Sequence, residues 1–281
     1  MNQVNTPTGG GAGLPPKLQA GKNRYRNRKS NAEKAASEQE HLSLVITAAE
    51  TAVNIFRQHN LHVAIFGSLA CKLYGNSRCP KDADLLIFPP SSDIDAEILK
   101  RLLVASAPRF FYLKNARDPA ATYRILWFHH PSSRRETKVD ILVPGAMSLP
   151  FIPLPRIRWA SNLPLAPFSF ILLHKLKGWA DHRDAPETFK RVRQTTDAAD
   201  VRRLLDIGAE TQTLQGVPAW WEDPELFDAT LQADSVVRVR EYCVEFPGRA
   251  EQWRALGFDV PKPPKLDAVI RDPQPAIPIA A

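Results

Sequence analysis

Cysteine is scarce in this chain. Three in 281 residues, Cys71, Cys79 and Cys243, fall in no metal-ligand spacing, which excludes a disulfide-stapled scaffold and points to a reducing compartment. Long apolar runs are missing too, and the chain does not open on a basic stretch followed by an apolar one, so neither a membrane span nor a secretory leader is expected. A soluble intracellular protein, cytoplasmic or nuclear, is the expectation. Excess charge is missing from the body as well: of the formal +7, residues 1–37 hold seven lysines and arginines against the single acid Glu33, a net +6, which leaves +1 for everything else. Basic steering of a partner is therefore expected from the tail rather than from the body as a whole. No internal repeat is present.

What is there begins with that tail. Residues 1–38 are rich in Gly, Pro, Asn and Lys/Arg and poor in large apolar side chains, so ordering them costs entropy that little burial offsets. They are predicted to be a disordered basic tail. Its run from Lys22 to Lys29 offers phosphate contacts, with Tyr25 to stack on a base, which makes it a candidate nucleic-acid contact; a solvated basic tail reads equally well. Residues 40–59 then place Leu42, Val45, Ile46, Ala49, Val53 and Phe56 at helical spacing, an amphipathic helix to cover a sheet.

The chemistry is concentrated between Leu61 and Val143. Leu61–Phe66 is a short apolar run suited to a buried strand, and Gly67-Ser68 follows it directly before a predicted helix over 69–74 that closes on Gly75 and Asn76. A strand that turns through glycine into a helix aims free backbone N–H groups at one point, which suits a phosphate. In the strand 82–88, side chains alternate, so Asp82 and Asp84 share a face, and two carboxylates held that close repel unless a cation lies between them. Asp140 stands inside a second apolar strand, 138–143, where a lone carboxylate is costly without a partner. Should the two strands be neighbours, three carboxylates converge, an oxygen-rich set that selects Mg2+ or Mn2+, and two such ions about 4 Å apart would clamp a phosphoryl displacement.

Gly67-Ser68, then Asp82-x-Asp84, then Asp140 on a later strand resembles the signature of the DNA polymerase β-like nucleotidyltransferase superfamily. The run from Gly67 to Ile87 is similar in wording to its minimal and abortive-infection toxin-type branches, with Pro80 where those branches commonly carry a hydroxyl residue. The resemblance implies an α+β fold, a mixed sheet with helices on one side followed by a C-terminal α-helical region. It also implies an enzyme that takes an NTP and Mg2+ and transfers a nucleoside monophosphate to a hydroxyl on RNA, protein or a small molecule. Asp82, Asp84 and Asp140 would be catalytic and metal-binding, with Gly67, Ser68, Arg78 and Lys175 on the nucleotide. Of the lysines in the later helix the resemblance favours Lys175, with Lys177 expected to face elsewhere.

The rest of the chain follows from pattern. A helix capped at Ser91–Asp93 is predicted to run to Ala105 with Ile94, Ile98, Leu102 and Leu103 buried, and strands are predicted over 109–113 and 122–128. These complete a nucleotidyltransferase-like domain over 39–148. Recurrent prolines make 149–165 a predicted connector with no central strand or helix. An α-helical region over 166–257 follows, in which Trp220 and Trp221 are expected to pack between helices, and a Pro-rich tail covers 258–281. Two other functions compete with the transferase: a nucleotide- or RNA-binding module without turnover on the same fold, and a glycosyltransferase built on Asp-x-Asp.

Overall fold

The computed structural model describes residues 30–214, 216–217 and 219–262; the basic run 22–29, the rest of residues 1–29 and residues 263–281 lie outside them. Helix α1 spans Asn31–Gln58, starting nine residues before the expected position because Ser30 caps it: its hydroxyl accepts from the Glu33 N–H, and the Glu33 carboxylate accepts from the Ser30 N–H. Residues 31–38, expected to be part of the disordered tail, are therefore helical. There follow β1 (His62–Phe66), α2 (Gly67–Leu73), β2 (Asp82–Phe88), α3 (Ala96–Ser106), β3 (Phe111–Asn115), β4 (Arg124–His129) and β5 (Glu136–Leu142). Next come β6 (Arg158–Ala160), β7 (Leu163–Leu165), α4 (Phe168–Arg183), α5 (Thr188–Arg191), α6 (Gln194–Glu210), α7 (Ala229–Glu245) and α8 (Ala250–Ala255).

The strands form one mixed sheet in the order β3-β4-β5-β2-β1-β7-β6. β2 runs parallel to β5 and β1 parallel to β7, while the remaining neighbours are antiparallel. Alternation sorts the side chains. Ala83, Leu85, Ile87, Leu126, Phe128, Thr137, Val139 and Ile141 point to one face and are at most 4 % exposed, under α1 and α3, which touch each other and lie across these strands. Asp82, Asp84, Lys138, Asp140, Trp127 and Tyr112 point to the other.

Two expectations change. The cap of α3 is Asp95, whose carboxylate accepts from the Ile98 N–H at 2.8 Å, and this sets its phase: Leu99, Lys100 and Leu103 are buried while Ile98 is 41 % exposed. The Pro-rich stretch 149–165, expected as a strandless connector, carries β6 and β7 and extends the sheet by a hairpin. Pro164 is tolerated inside β7 because the pairing with β1 involves Leu165 opposite Ile65, so no ladder bond is asked of the missing N–H.

The helical region packs as expected. Phe168, Ile171, Leu172, Leu176 and Trp179 of α4 are buried. Trp220 donates its indole N–H to the Leu256 carbonyl at 3.0 Å, and Trp221 stacks on Phe258 at 4.3 Å, which places Phe258 in the body rather than in the tail. Buried side chains of the sheet, α4, α6, α7 and α8 belong to one core. Among the described residues no helix is long and apolar enough to cross a membrane.

Candidate active site

The site starts from a glycine. Gly67, the first residue of α2, has φ +60°, and a Cβ built on it would lie 2.7 Å from Asp84 Cγ and overlap its carboxylate oxygen. Only glycine combines that backbone with so close an approach. Antiparallel pairing sets Phe66 opposite Asp84, which delivers the strand-to-helix turn to the carboxylate. Asp84 is then paired across the parallel β2–β5 ladder with Asp140, so the two carboxylates emerge side by side from adjacent strands. Strand spacing puts their backbones roughly 4.8 Å apart. Asp82, two residues back on the same face, lies 3.4 Å from the Ser68 hydroxyl, which donates to it.

This geometry crowds negative charge. Burial, then the charges of Asp82 and Asp140, push the Asp84 carboxyl up to about 7. Asp140 is partly relieved by Lys138, whose Nζ is 2.5 Å from its Oδ2. Among the described residues, no three acidic, histidine or cysteine side chains stand gathered as a ready metal cluster. The donors around Gly67 are nonetheless all oxygens, the chemistry a hard divalent cation takes.

The opposite wall is α4. Asp84 and Asp140 share a cleft of about 410 Å³ with Lys175, Lys177 and His174, within the range of small-molecule sites. Lys175 Nζ lies 3.0 Å from Asp200 and 3.8 Å from Asp197. Lys177, expected to face elsewhere, also lines the cleft, with its Nζ 2.5 Å from Asp181, another lining residue. Ile171, His174, Gly178 and Asp181 lie on one α4 face toward this cleft. The sequence reading missed that stripe, although its spacing of three, four and three residues was visible. His174 is 9 % exposed and rests between Phe66 and Phe170, with ring centroids at 5.5 and 4.2 Å.

Arg78 is placed differently from the expectation that it holds nucleotide. Its guanidinium forks onto Asp200, at 2.8 Å from Oδ1 and 2.5 Å from Oδ2, and it is absent from the cleft lining. Asp200, 1 % exposed, also accepts from the Asn76 side chain at 3.1 Å. The acid thus ties the segment after α2 to α4 and α6. Cys71 beside it has its thiol pushed up to about 12 by burial and serves as apolar filling.

The sheet order, the two-strand carboxylate pair and the following helices define a nucleotidyltransferase-like fold. An antigenic nucleotidyltransferase-like protein from Paracoccidioides brasiliensis overlays with a TM-score of 0.54 at 17% identity, covering 77% of this chain and 93% of that one. A structure from H. pylori described provisionally as a nucleotidyltransferase gives 0.44 at 13% identity over 80% and 83%. ANT(2")-Ia in complex with adenylyl-2"-tobramycin gives 0.38 at 15% over 69% and 97%. The first of these carries the fold assignment; the other two overlap too little to bear on it. No protein-family model matches the chain. No curated protein matches it by sequence.

Proposed function

We propose that this protein is a Mg2+- or Mn2+-dependent nucleotidyltransferase of the DNA polymerase β-like kind, in the minimal and abortive-infection toxin-type branches whose motif wording it shares. It would move a nucleoside monophosphate from an NTP to a hydroxyl acceptor and release pyrophosphate. The observation that carries this reading is the side-by-side pair Asp84 and Asp140 held over the bare backbone of Gly67. Asp82, Asp84 and Asp140 are the residues that would hold the metal, which supplies positive charge to the triphosphate and to the attacking oxygen. Gly67 and Ser68 would seat the β- and γ-phosphates. Lys175 would offset charge on the departing pyrophosphate from across the cleft, and the position of Lys177 gives it a share of that role. Asp140 would take the proton of the attacking hydroxyl.

A second reading, a nucleotide-binding module without turnover, is favoured by one contact: Lys138 already occupies Asp140. Labelled NTP, Mg2+ and mixed RNA and protein acceptors separate the two. The transferase predicts label transfer that falls by about 10³-fold or more in Asp82→Ala and Asp84→Ala, on the scale of losing a principal electrostatic group. Label transfer that survives both substitutions refutes it, and NTP binding in calorimetry with no pyrophosphate from wild type identifies the binding module.

A further inference from the structure

The sheet ends at β6, a strand of three residues folded back on β7. Ser161 and Asn162 between them take φ of +48° and +62°, a two-residue hairpin turn whose closing pair, Ala160 and Leu163, exchanges both backbone bonds. Alternation then makes Trp159 and Pro164 a pair that exchanges none, so the N–H and C=O of Trp159 point away from the sheet. Neither group has a backbone partner among the described residues. Sheet edges are commonly kept short and charged to discourage pairing. This one is short and carries Arg158, but beside that arginine stands a large apolar ring, Trp159, 59 % exposed.

The surroundings of that edge are apolar and basic. A groove of about 170 Å³ opens beside it, with Val53 and Arg57 of α1, Val63 of β1, and Leu154, Ile157 and Trp159 in its walls. Leu154 is exposed, and so is Phe151, which rests 5.0 Å from the ring of Phe88, the strand partner of the groove residue His62. Arg57 holds its guanidinium carbon 5.6 Å from the Trp159 ring centroid. Arg156 is taken by Asp223 and Glu225, whereas Arg57 and Arg158, both exposed, enter no ion pair among the described residues. Residues 51–65 and 151–165, which build this corner, contain no acid at all. Two free arginines and an open backbone pair therefore face outward together.

We infer that the β6 edge is a docking site for an extended acidic segment of a partner protein. The segment pairs its backbone with Trp159 as an eighth strand, sets an apolar side chain in the groove and brings carboxylates to Arg57 and Arg158. Charge selects the occupant. A second copy of the chain paired edge to edge would set like arginines against each other. Residues 1–37 are net +6, and residues 263–281 hold Lys265 and Arg271 against Asp267 and Asp272, so neither end of this chain supplies an excess of negative charge. A nucleic acid supplies it but has no peptide backbone to meet the N–H and C=O of Trp159. The groove shares no residue with the carboxylate cleft, so the inference stands apart from the transferase reading.

The test uses the full chain and short fluorescein-labelled peptides followed by anisotropy. A peptide alternating glutamate and valine is expected to bind, and to bind more weakly as salt is raised. N-methylation along one backbone edge of that peptide, which removes the donors a strand offers, weakens it about tenfold. Trp159→Ala does so by about tenfold or more, the scale of a lost aromatic anchor. Arg57→Ala and Arg158→Ala each cost about threefold, the scale of one exposed ion pair. Arg158→Glu shifts the preference toward a peptide alternating lysine and valine, and Arg117→Ala, an exposed arginine just beyond β3 at the opposite edge, changes nothing. By amide exchange, the Trp159 N–H is expected to be unprotected in the free chain and slowed by the peptide. A Trp159 amide already protected in the free chain, or a dimer that Trp159→Ala dissociates, gives the edge to the chain itself and overturns the inference. So do the absence of binding, equal binding of the N-methylated peptide, a wild-type preference for the lysine peptide, and tighter binding of a thymidine oligonucleotide than of the acidic peptide. Where Trp159→Ala fails to fold by circular dichroism, the Arg158→Glu charge swap and the N-methylated peptide decide.

Discussion

Gly67 shows how one residue holds the site together, because its φ of +60° and the proximity of Asp84 forbid a side chain for two independent reasons. Gly67→Ala should therefore strain the turn and push the carboxylate aside. A stability loss of about 1–3 kcal/mol in urea titration is expected, with a fall of about 10²-fold in turnover from misplacing Asp84. Full activity in Gly67→Ala would show that the close approach is incidental. His174 makes a different prediction. Burial first, then the nearby charges of Lys177 and Arg238, hold its imidazole down to about 3, so it stays neutral in the fold while the unfolded chain protonates it below its ordinary 6.5. A depressed folded value means that the unfolded state binds the extra proton. Stability is intact above about pH 6.5 and falls by about 1.4 kcal/mol per pH unit as pH drops toward 3. Between pH 7.5 and pH 5, wild type should lose about 2 kcal/mol more than His174→Leu in urea unfolding. An identical pH dependence for the two proteins would place the ring in water.

At the scale of elements, Asp200 is the joint. Its carboxylate gathers Arg78 and Asn76 from the segment between α2 and β2, and Lys175 from α4, while sitting 1 % exposed on α6. Removing it takes the nearer acid from Lys175 and leaves the Arg78 guanidinium without its carboxylate, both side chains half-buried. Asp200→Ala is expected to cost about 3–5 kcal/mol in chemical denaturation, the price of breaking a buried ion pair from one side. Arg78→Ala should lower the unfolding midpoint too while leaving the NTP concentration dependence of turnover near wild type; a large rise in KM with unchanged stability would return Arg78 to the nucleotide. The resemblance implies Arg78 on the nucleotide, whereas its guanidinium forks onto Asp200, because on sequence a basic residue near a phosphate turn looks the same whether it meets phosphate or a distant acid. The acid here is 122 residues away. That Asp82 and Asp84 share a face was legible because period-two alternation is local; that Asp140 lies beside Asp84 depends on β2 and β5 being neighbours, which alternation does not decide. Lys175, which the resemblance implies near the nucleotide, lines the cleft with Asp84 and Asp140. The β6–β7 hairpin was not legible, since three-residue strands leave no periodicity and Pro164 argues against one. The early start of α1 was visible in hindsight as Ser30 and Glu33 at capping-box spacing, masked by the polar composition around it.

On the whole-molecule scale, the division into a sheet domain over 39–148 and a helical region over 166–257 is a division of pattern, whereas the buried side chains of both halves form one continuous core. Phe66 at the end of β1 touches Phe170 of α4 at 5.7 Å, and Tyr74 at the end of α2 donates to the Ala166 carbonyl at 2.7 Å, so the halves are joined where the cleft opens. A ligand in that cleft contacts both walls, with Asp84 and Asp140 on one side and Lys175 and Lys177 on the other. Two consequences follow for unfolding. Fluorescence from Trp179, Trp220, Trp221 and Trp253 in the helical part and amide exchange in β2 and β5 should report the same single transition. An NTP with Mg2+ at about 100 times its dissociation constant should then stabilise the whole chain by about 2.7 kcal/mol, which for a protein of this size raises Tm by roughly 5 °C. Asp84→Asn should abolish that rise while keeping the transition single. Two separate transitions, of which nucleotide moves only the one seen in the strands, would mean that α4 is a neighbour of the site rather than its second wall, and the roles assigned to Lys175 and Lys177 would fall with it.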